Sequence, residues 1–123
     1  MNSLADLLNL VLTTLQSLPA CRAVRVLETH QFSQQQVALK VRAELAHGGM
    51  LQVRLYRNGA HTDYAYHFLS GDQVLRWDNK EHFPGISSHP HHFHTAAGSV
   101  EVSPLTGDPV HDLPLVLDYL MAL

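Results

Sequence analysis

The sequence predicts an α+β fold, in which an antiparallel meander of about five strands is covered by an N-terminal and a C-terminal helix. Three observations predict it: apolar residues recur at helical spacing near both ends, they alternate between residues 22 and 77, and turn sequences separate the alternating runs. The chain has 123 residues, 46% hydrophobic and 15% charged. This length and composition predict one folded domain spanning residues 1–123.

The N-terminal helix is predicted from a stripe of leucines and a valine. Ser3 is suited to the N-cap, with Asp6 three residues on in the capping-box position. Pro19 ends the helix, because proline lacks the backbone N–H that would continue it. Such a stripe packs on a sheet, although it can also form a partner surface. Its residues are Leu4, Leu7, Leu8, Val11, Leu12 and Leu15.

From Arg22 the apolar period changes to two. Every second residue from Val37 to Leu45 is apolar, which predicts a strand with one buried face. His47-Gly48-Gly49 and Asn58-Gly59 are turn sequences of the kind that join antiparallel strands. Tyr64, Tyr66 and Phe68 share one strand face and are predicted to face the core. Further strands are predicted at residues 51–55, 62–69 and 73–77.

After Asn79 the periodicity stops, and prolines, a glycine and serines predict a long loop, which in a small domain is usually functional or disordered. Residues 99–102 are predicted to form a last short strand. Asp112 is predicted to cap a closing helix with Pro114 in its first turn. The apolar face of that helix consists of Leu113, Val116, Leu117, Leu120 and Met121.

Charge, cysteine content and known sequence patterns exclude several classes of protein. The net charge of -3, with histidine neutral, does not favour a strongly basic nucleic-acid binder. The single cysteine, Cys21, excludes an internal disulfide framework and a cysteine-rich zinc site. The N-terminus lacks a basic export signal and is too short to cross a bilayer, so we expect a cytoplasmic protein without membrane contact. No phosphate loop, nucleophile elbow or dinucleotide-binding glycine sequence is present.

Five of the ten histidines lie between His82 and His94, and this segment is the predicted functional site. Histidine is the commonest metal ligand, and in an extended segment His92 and His94 point to the same side. The spacing matches no standard zinc sequence, so we expect either no cofactor or a divalent metal. The candidate metal ligands are His89, His92 and His94, with Asp78, His67 or Glu81 available to complete an open three-ligand site.

Acid–base chemistry without a metal is the favoured interpretation of the same segment. Cleavage of RNA by its own 2′-hydroxyl requires a base, an acid and a cation near the phosphorus. Paired histidines with Arg76 and Lys80 can supply all three. The outer sheet face adds basic residues and a tyrosine suited to stacking on a base. The predicted substrate-binding residues are Lys40, Arg42, Arg54, Tyr56, Trp77 and Lys80.

A structural role is the alternative for each of these residues. Trp77 can pack over the core, basic strand residues can form an ordinary solvated face, and single histidines can satisfy local hydrogen bonds. Five clustered histidines favour function over that interpretation. The alternative function is a non-catalytic protein- or nucleic-acid-binding module with a structural or metal-binding histidine loop.

Three stretches of the chain share a pattern with a known family. They are Tyr64-Ala65-Tyr66-His67-Phe68, Arg76-Trp77-Asp78-Asn79 with His82 and Pro84, and Pro90-His91-His92-Phe93-His94. With these residues the chain resembles the TumE family of bacterial toxin–antitoxin proteins over residues 37–120. Ser103 also fits the family pattern, whereas Thr95 stands where a glycine or valine is usual.

The resemblance implies the toxin of a two-gene system, paired with a helix-turn-helix antitoxin, and RNA is the expected substrate by analogy with other small toxins. The protein can also be a homo-oligomer, and the sequence does not decide its oligomeric state. Within the site, we expect His92 or His94 to act as general acid or base, Arg76 to stabilise phosphate charge and Asp78 to orient a histidine. The predicted catalytic residues are His67, Arg76, Asp78, His82, His91, His92 and His94.

Overall fold

The computed structural model describes residues 3–123, which form two helices and one sheet of seven strands in chain order, each antiparallel to the next. The predicted α+β meander with a helix at each end is therefore confirmed. The helices are α1 (Leu4–Gln16) and α2 (Pro109–Met121). The strands are β1 (Cys21–Gln31), β2 (Gln36–Leu45), β3 (Met50–Asn58), β4 (His61–Ser70), β5 (Gln73–Asp78), β6 (His92–His94) and β7 (Val100–Val102).

The sheet has seven strands where about five were predicted, because the histidine segment itself enters the sheet. β6 pairs with β5, although its sequence was predicted as part of a long loop. Three residues are too few to show a period of two, and the prolines before them favour a loop. The short last strand was predicted at residues 99–102 and is confirmed as β7.

The N-cap residue was predicted correctly for α1 but not for α2. Ser3 caps α1 as predicted, since its hydroxyl accepts a hydrogen bond from the backbone N–H of Asp6 at 3.0 Å. The cap of α2 was predicted wrongly: it is Asp108, with Pro109 at the start of the helix. Asp112 is buried within the first turn and accepts the backbone N–H groups of Thr106 and Gly107. Both aspartates precede apolar residues, so the sequence pattern alone does not separate them.

One face of the sheet forms the core together with both helices. The alternating residues of β2, β3 and β4 that were predicted to face inward, including Tyr64, Tyr66 and Phe68, are buried. Tyr119 of α2 packs edge-on against Trp77 and Phe93, which stack on each other at 4.6 Å. Neither helix in the described part of the chain has the length and apolar character that a membrane crossing requires.

The turn between β2 and β3 contains Gly48 and Gly49, and the position of Gly49 requires glycine. Gly49 has a φ of +85°, which L side chains rarely adopt. A Cβ atom there would lie 2.8 Å from the ring of Phe68 on β4. The close approach brings the turn against the buried ring of Phe68.

Candidate functional site

The candidate site lies on the face of the sheet that neither helix covers, which we call the open face. In an antiparallel sheet, directly paired residues lie on the same face, so the strand register defines rows across it. Two neighbouring rows hold most of the predicted site residues. One row is Lys40, Arg54, Ala65, Asp78 and His92. The other row is Arg42, Gln52, His67, Arg76 and His94.

The alternation of β5 and β6 separates the site from the core. Arg76 and Asp78 lie on the open face, whereas Trp77 between them packs into the core. In the same way Phe93 separates His92 from His94, so the two imidazoles lie on one side with ring centroids 4.8 Å apart. The side-chain amide of Asn79 fixes this end of β5, because it bonds the backbone of Tyr64 and Thr62 on β4.

Asp78 is the centre of the site. Its carboxylate is almost fully buried, with 3% of the side chain exposed. Oδ2 accepts the Nε–H of Arg76 at 2.8 Å and lies 3.6 Å from Nε2 of His94. Oδ1 lies 2.9 Å from Nε2 of His92 and accepts the backbone N–H of Lys80 at 3.0 Å. Burial of a carboxylate is costly unless charge and hydrogen bonds compensate it, and here both do.

His92 is enclosed by protein on all sides, with 2% of its side chain exposed. Its Nδ1 lies 3.1 Å from the carbonyl oxygen of Pro90, which can only accept, so Nδ1 is the donor there. Its Nε2 then faces the Asp78 carboxylate. The ring of Phe83 packs edge-on over His92 at 4.8 Å and over His94 at 5.9 Å, and closes one side of the cluster.

His94 and His67 are the partly exposed imidazoles of the site. Burial lowers the pKa of His94; the Asp78 carboxylate acts in the opposite direction, and His92 and Arg76 lower it further. Burial also lowers the pKa of His67, and the neighbouring Arg76 guanidinium lowers it further. Both groups are therefore biased towards the neutral imidazole, the form that accepts a proton or binds a metal.

The structure does not bring His91, His82 or Trp77 into this cluster. His91 lies towards the other side of the sheet, where its Nδ1 is 2.8 Å from the hydroxyl of Tyr64 and its ring stacks on the tyrosine. His82 is exposed in the loop after β5. Trp77, predicted to bind substrate, has 3% exposure in the core against Phe93 and Tyr119.

His91 has surroundings of its own. Burial lowers the pKa of its imidazole, Asp112 raises it and His92 lowers it. Burial also raises the pKa of the Tyr64 hydroxyl, as do Asp112 and Asp78, so the tyrosine keeps its proton. Tyr64 and His91 therefore form a neutral hydrogen-bonded pair that joins β4 to the loop before β6.

The remaining predicted substrate-binding residues lie on or beside the open face. Lys40 forms a 2.9 Å ion pair with Glu28 of the edge strand, and Arg42 donates to Gln52 at 3.4 Å. A cleft of about 170 Å³ lies next to the Asp78 cluster, and the small side chain of Ala65 forms part of its lining. Its other lining residues are Arg54, Tyr56, Asp63, Tyr64, Arg76 and Lys80.

Among the described residues, Asp78, His92 and His94 are grouped so that one ligand atom from each lies within 4.8 Å of the others. His89, a predicted metal ligand, is exposed in the loop and is not in this group. Asp78 was one of three candidates to complete the ligand set, and the strand register selects it because it pairs directly with His92.

Sequence reasoning missed the role of Phe83 over the two imidazoles. Phe83 lies in the segment that was predicted as a long loop, and an aromatic ring in a polar segment usually finds apolar surface. The path of residues 80–91, which returns the chain to the sheet, decides where this ring packs. No local sequence signal specifies that path.

Comparison with protein-family models identifies the family of the chain. The family model described as Toxin TumE matches residues 11–122, which is nearly the whole chain. No curated protein and no solved structure matches. The matched region includes all seven strands, α2 and every residue of the Asp78 cluster. The chain therefore belongs to the TumE toxin family.

Proposed function

We propose that the protein is an RNA-cleaving toxin whose active site is the open-face cluster of Asp78, Arg76, His92 and His94. The observation that carries this proposal is the buried Asp78 carboxylate, contacted by two imidazoles and a guanidinium on the face that neither helix covers. Buried ionisable groups in mutual contact are typical of functional sites, because stability alone is served as well by apolar residues.

The chemistry of RNA cleavage fits the groups in this cluster. The 2′-oxygen bonds to phosphorus, its proton passes to a base, the bond from phosphorus to the 5′-oxygen breaks, and that oxygen takes a proton. Such a reaction gains from positive charge beside the phosphorus. Arg76, with 36% of its side chain exposed, can supply this charge from its place against Asp78.

The two histidines have different roles in this proposal. His94 has 34% of its side chain exposed, so a bound RNA can reach its imidazole. His92 is enclosed, and we assign it to positioning Asp78 rather than to contact with substrate. The sequence left open whether His92 or His94 acts as general acid or base. In this proposal His94 contacts the RNA and His92 does not.

The cleft beside the cluster is suited to a nucleotide. Arg54 and Lys80 offer positive charge to a phosphate, and Tyr56 offers a ring on which a base can stack. Paired strands lie about 4.8 Å apart, so Arg54, two strands from Asp78, lies roughly 10 Å away along the row. That separation lets one strand of RNA contact both groups at once.

Membership in a toxin family implies an antitoxin partner. We propose that this partner is a helix-turn-helix protein and that the toxin acts on RNA in the cytoplasm. Because the cluster and cleft lie on one face, an antitoxin that covers that face would block substrate access. An antitoxin bound to the helix-covered side would have to act in another way.

The test compares His94→Ala and Asp78→Asn with wild type, in bacterial growth arrest and in cleavage of total RNA by purified protein. Both variants are expected to lose at least about 100-fold in cleavage rate, the lower range for a group that transfers or controls a proton. His47→Ala is the matched control, since His47 is exposed in the β2–β3 turn, and it is expected to remain active. Circular dichroism establishes that each variant is folded.

The result also decides the alternative function. A folded His94→Ala and Asp78→Asn double variant that still arrests growth would contradict an active site in this cluster. Growth arrest that instead depends on Arg42, Arg54 or Leu8 would favour a non-catalytic binding module. Growth arrest that disappears in the cluster variants, without RNA cleavage by wild type, would keep the site and reject RNA as its substrate.

A further inference from the structure

We propose that Asp78, His92 and His94 bind one divalent first-row transition-metal ion. The inference deepens the proposed function and rests on it where catalysis is concerned, because the ion would lie in the proposed active site. Binding itself is independent of RNA cleavage and is measured separately.

Two of the separations between donor groups are close to those of a metal site, and the third donor pair lies within reach of it. Ligands lie about 2.0–2.2 Å from a zinc ion, so two donor atoms on one ion are about 3–3.5 Å apart. Oδ1 of Asp78 is 2.9 Å from Nε2 of His92, and Oδ2 of Asp78 is 3.6 Å from Nε2 of His94. All three donors lie within 4.8 Å of one another. Small movements of side chains would complete the geometry.

His92 supplies a second, independent observation. Its Nδ1 donates to the carbonyl oxygen of Pro90, so a neutral ring has only a lone pair on Nε2. That lone pair would face the Asp78 carboxylate at 2.9 Å, with both groups almost fully buried. Two acceptors in this position need a cation between them, either a proton or a metal ion. A backbone carbonyl on the second nitrogen is also the usual arrangement for a histidine that binds metal.

The contacts around the ligands fit an outer shell. Arg76 holds Oδ2 of Asp78, and the backbone N–H of Lys80 holds Oδ1, so the carboxylate is fixed in orientation. Phe83 covers the imidazoles on one side. The partial exposure of His94 leaves the other side open to water or substrate. Three protein ligands with an open position are typical of catalytic rather than structural metal sites.

The chemical class of the ion follows from the ligands. Two imidazoles and one carboxylate suit zinc, manganese, iron, cobalt or nickel, whereas magnesium and calcium prefer oxygen ligands. When bound, such an ion would supply Lewis-acid chemistry, either by polarising a phosphoryl oxygen or by activating a water molecule. His94 and His92 would then act as metal ligands. The sequence instead favours a role for the histidines in acid–base chemistry without a metal.

The experiment is a calorimetric titration of zinc into the tag-free, chelator-treated full chain, with cobalt absorption spectra as a direct report on the ligands. One zinc ion per chain is expected to bind. Loss of an outer-shell partner already weakens metal binding roughly 10–100-fold, so His94→Ala and Asp78→Asn are each expected to weaken it at least about 100-fold. His89→Ala is the matched control, from the same loop but outside the group, and is expected to bind as wild type does.

Each outcome decides the proposal. Zinc binding that survives in both His94→Ala and Asp78→Asn would place the ion elsewhere and overturn it, as would the absence of stoichiometric binding to wild type. Cobalt spectra that change with His94→Ala but not with His89→Ala would support it. RNA cleavage that persists with chelator, in a protein that binds no metal, would leave the proposed function standing and reject the metal. Stoichiometric zinc binding by a protein that does not cleave RNA would support the metal site and reject RNA cleavage as the function.

Discussion

The two faces of the sheet alternate along the same strands, yet they differ completely in what their side chains do. On the face beneath the helices, Trp77 and Phe93 stack at 4.6 Å and pack against Tyr119. On the open face, the flanking residues of the same two strands form the cluster around Asp78. One side of β5 and β6 is apolar and closely packed, and the other is charged and partly accessible.

The comparison shows how a three-residue strand can hold the side chains of the Asp78 cluster in a defined geometry. Trp77 pairs with Phe93 across the strands, between the Arg76–His94 pair and the Asp78–His92 pair. Because the aromatic pair is buried, it fixes the backbone from which the polar side chains project. Functional groups supported on regular, well-packed strands keep their geometry better than groups on loops.

The largest expected effect separates two adjacent histidines, His91 and His92. His92→Asn removes a contact that positions the buried carboxylate. Because a small misplacement of a catalytic group can cost about 100-fold, we expect RNA cleavage to fall by about that factor, with loss of growth arrest. His91→Asn removes a hydrogen bond to Tyr64 on the other side of the sheet, at a cost of about 1 kcal/mol, and we expect growth arrest to persist. Colony counts and thermal denaturation of both variants measure this.

The contrary result for this pair is clear. If His91→Asn is folded but does not arrest growth, the functional site extends past the sheet to the Tyr64–His91 pair. The division between the faces would then not separate function from packing.

The second prediction concerns stability on the two sides of β5. Trp77→Ala removes a buried aromatic ring and is expected to lower the free energy of unfolding by about 3–5 kcal/mol. Val74→Ala, at a position that is 44% exposed on the other side of the same strand, is expected to change it by less than about 0.5 kcal/mol. Urea denaturation of both variants tests this, and similar values for the two would mean that the open face is also a packing surface.

The third prediction compares two basic residues of one row, Arg54 and Lys40. Removing a cationic side chain that binds one phosphate is expected to reduce the slope of log binding constant against log salt by about 0.7 for single-stranded RNA. Arg54→Gln is expected to show this reduction, because Arg54 lines the cleft beside the cluster. Lys40→Gln is expected to show less, because Lys40 is paired with Glu28. Fluorescence anisotropy at several salt concentrations measures both, and a larger effect from Lys40 would place the RNA nearer the edge strand.

The sequence predicts the fold well where periodicity is long, and it predicts which side chains share a face where strands are regular. The alternation of β2, β3 and β4 predicts which residues are buried, and the i, i+2 spacing predicts that His92 and His94 share a side. Both follow from the geometry of extended chain. The open-face positions of Lys40, Arg42 and Arg54 follow from the same rule.

Two predictions went wrong although local alternation bears on them, and one part of the site depends on long-range pairing. Trp77 was predicted to bind substrate, with core packing as the alternative, and the period of two along β5 places it in the core. His91 and His92 were predicted to act together, although adjacent residues of extended chain point apart. The pairing of Asp78 with His92 joins segments separated by a loop, so local patterns hold no information on it.

The smallest expected effect concerns two tyrosines that stack on each other in the core at 4.9 Å. The buried hydroxyl of Tyr66 has no hydrogen-bond partner among residues 3–123, whereas that of Tyr64 lies 2.8 Å from His91. Tyr66→Phe is therefore expected to leave the free energy of unfolding unchanged or to raise it by up to about 1 kcal/mol. Tyr64→Phe is expected to lower it by about 1 kcal/mol, and urea denaturation at neutral pH measures both.

Alkaline pH sharpens the same comparison, because burial raises the pKa of Tyr66 well above its usual value. The folded state keeps the phenol proton, while the unfolded tyrosine loses it above about pH 10. Stability from this group is therefore complete below that pH and falls by about 1.4 kcal/mol per pH unit above it. Tyr66→Phe is expected to unfold along a shallower slope than wild type between pH 10 and 12. Equal slopes would mean that the Tyr66 hydroxyl reaches water or a partner in solution, and that the core face is less completely closed than the packing of the two tyrosines indicates.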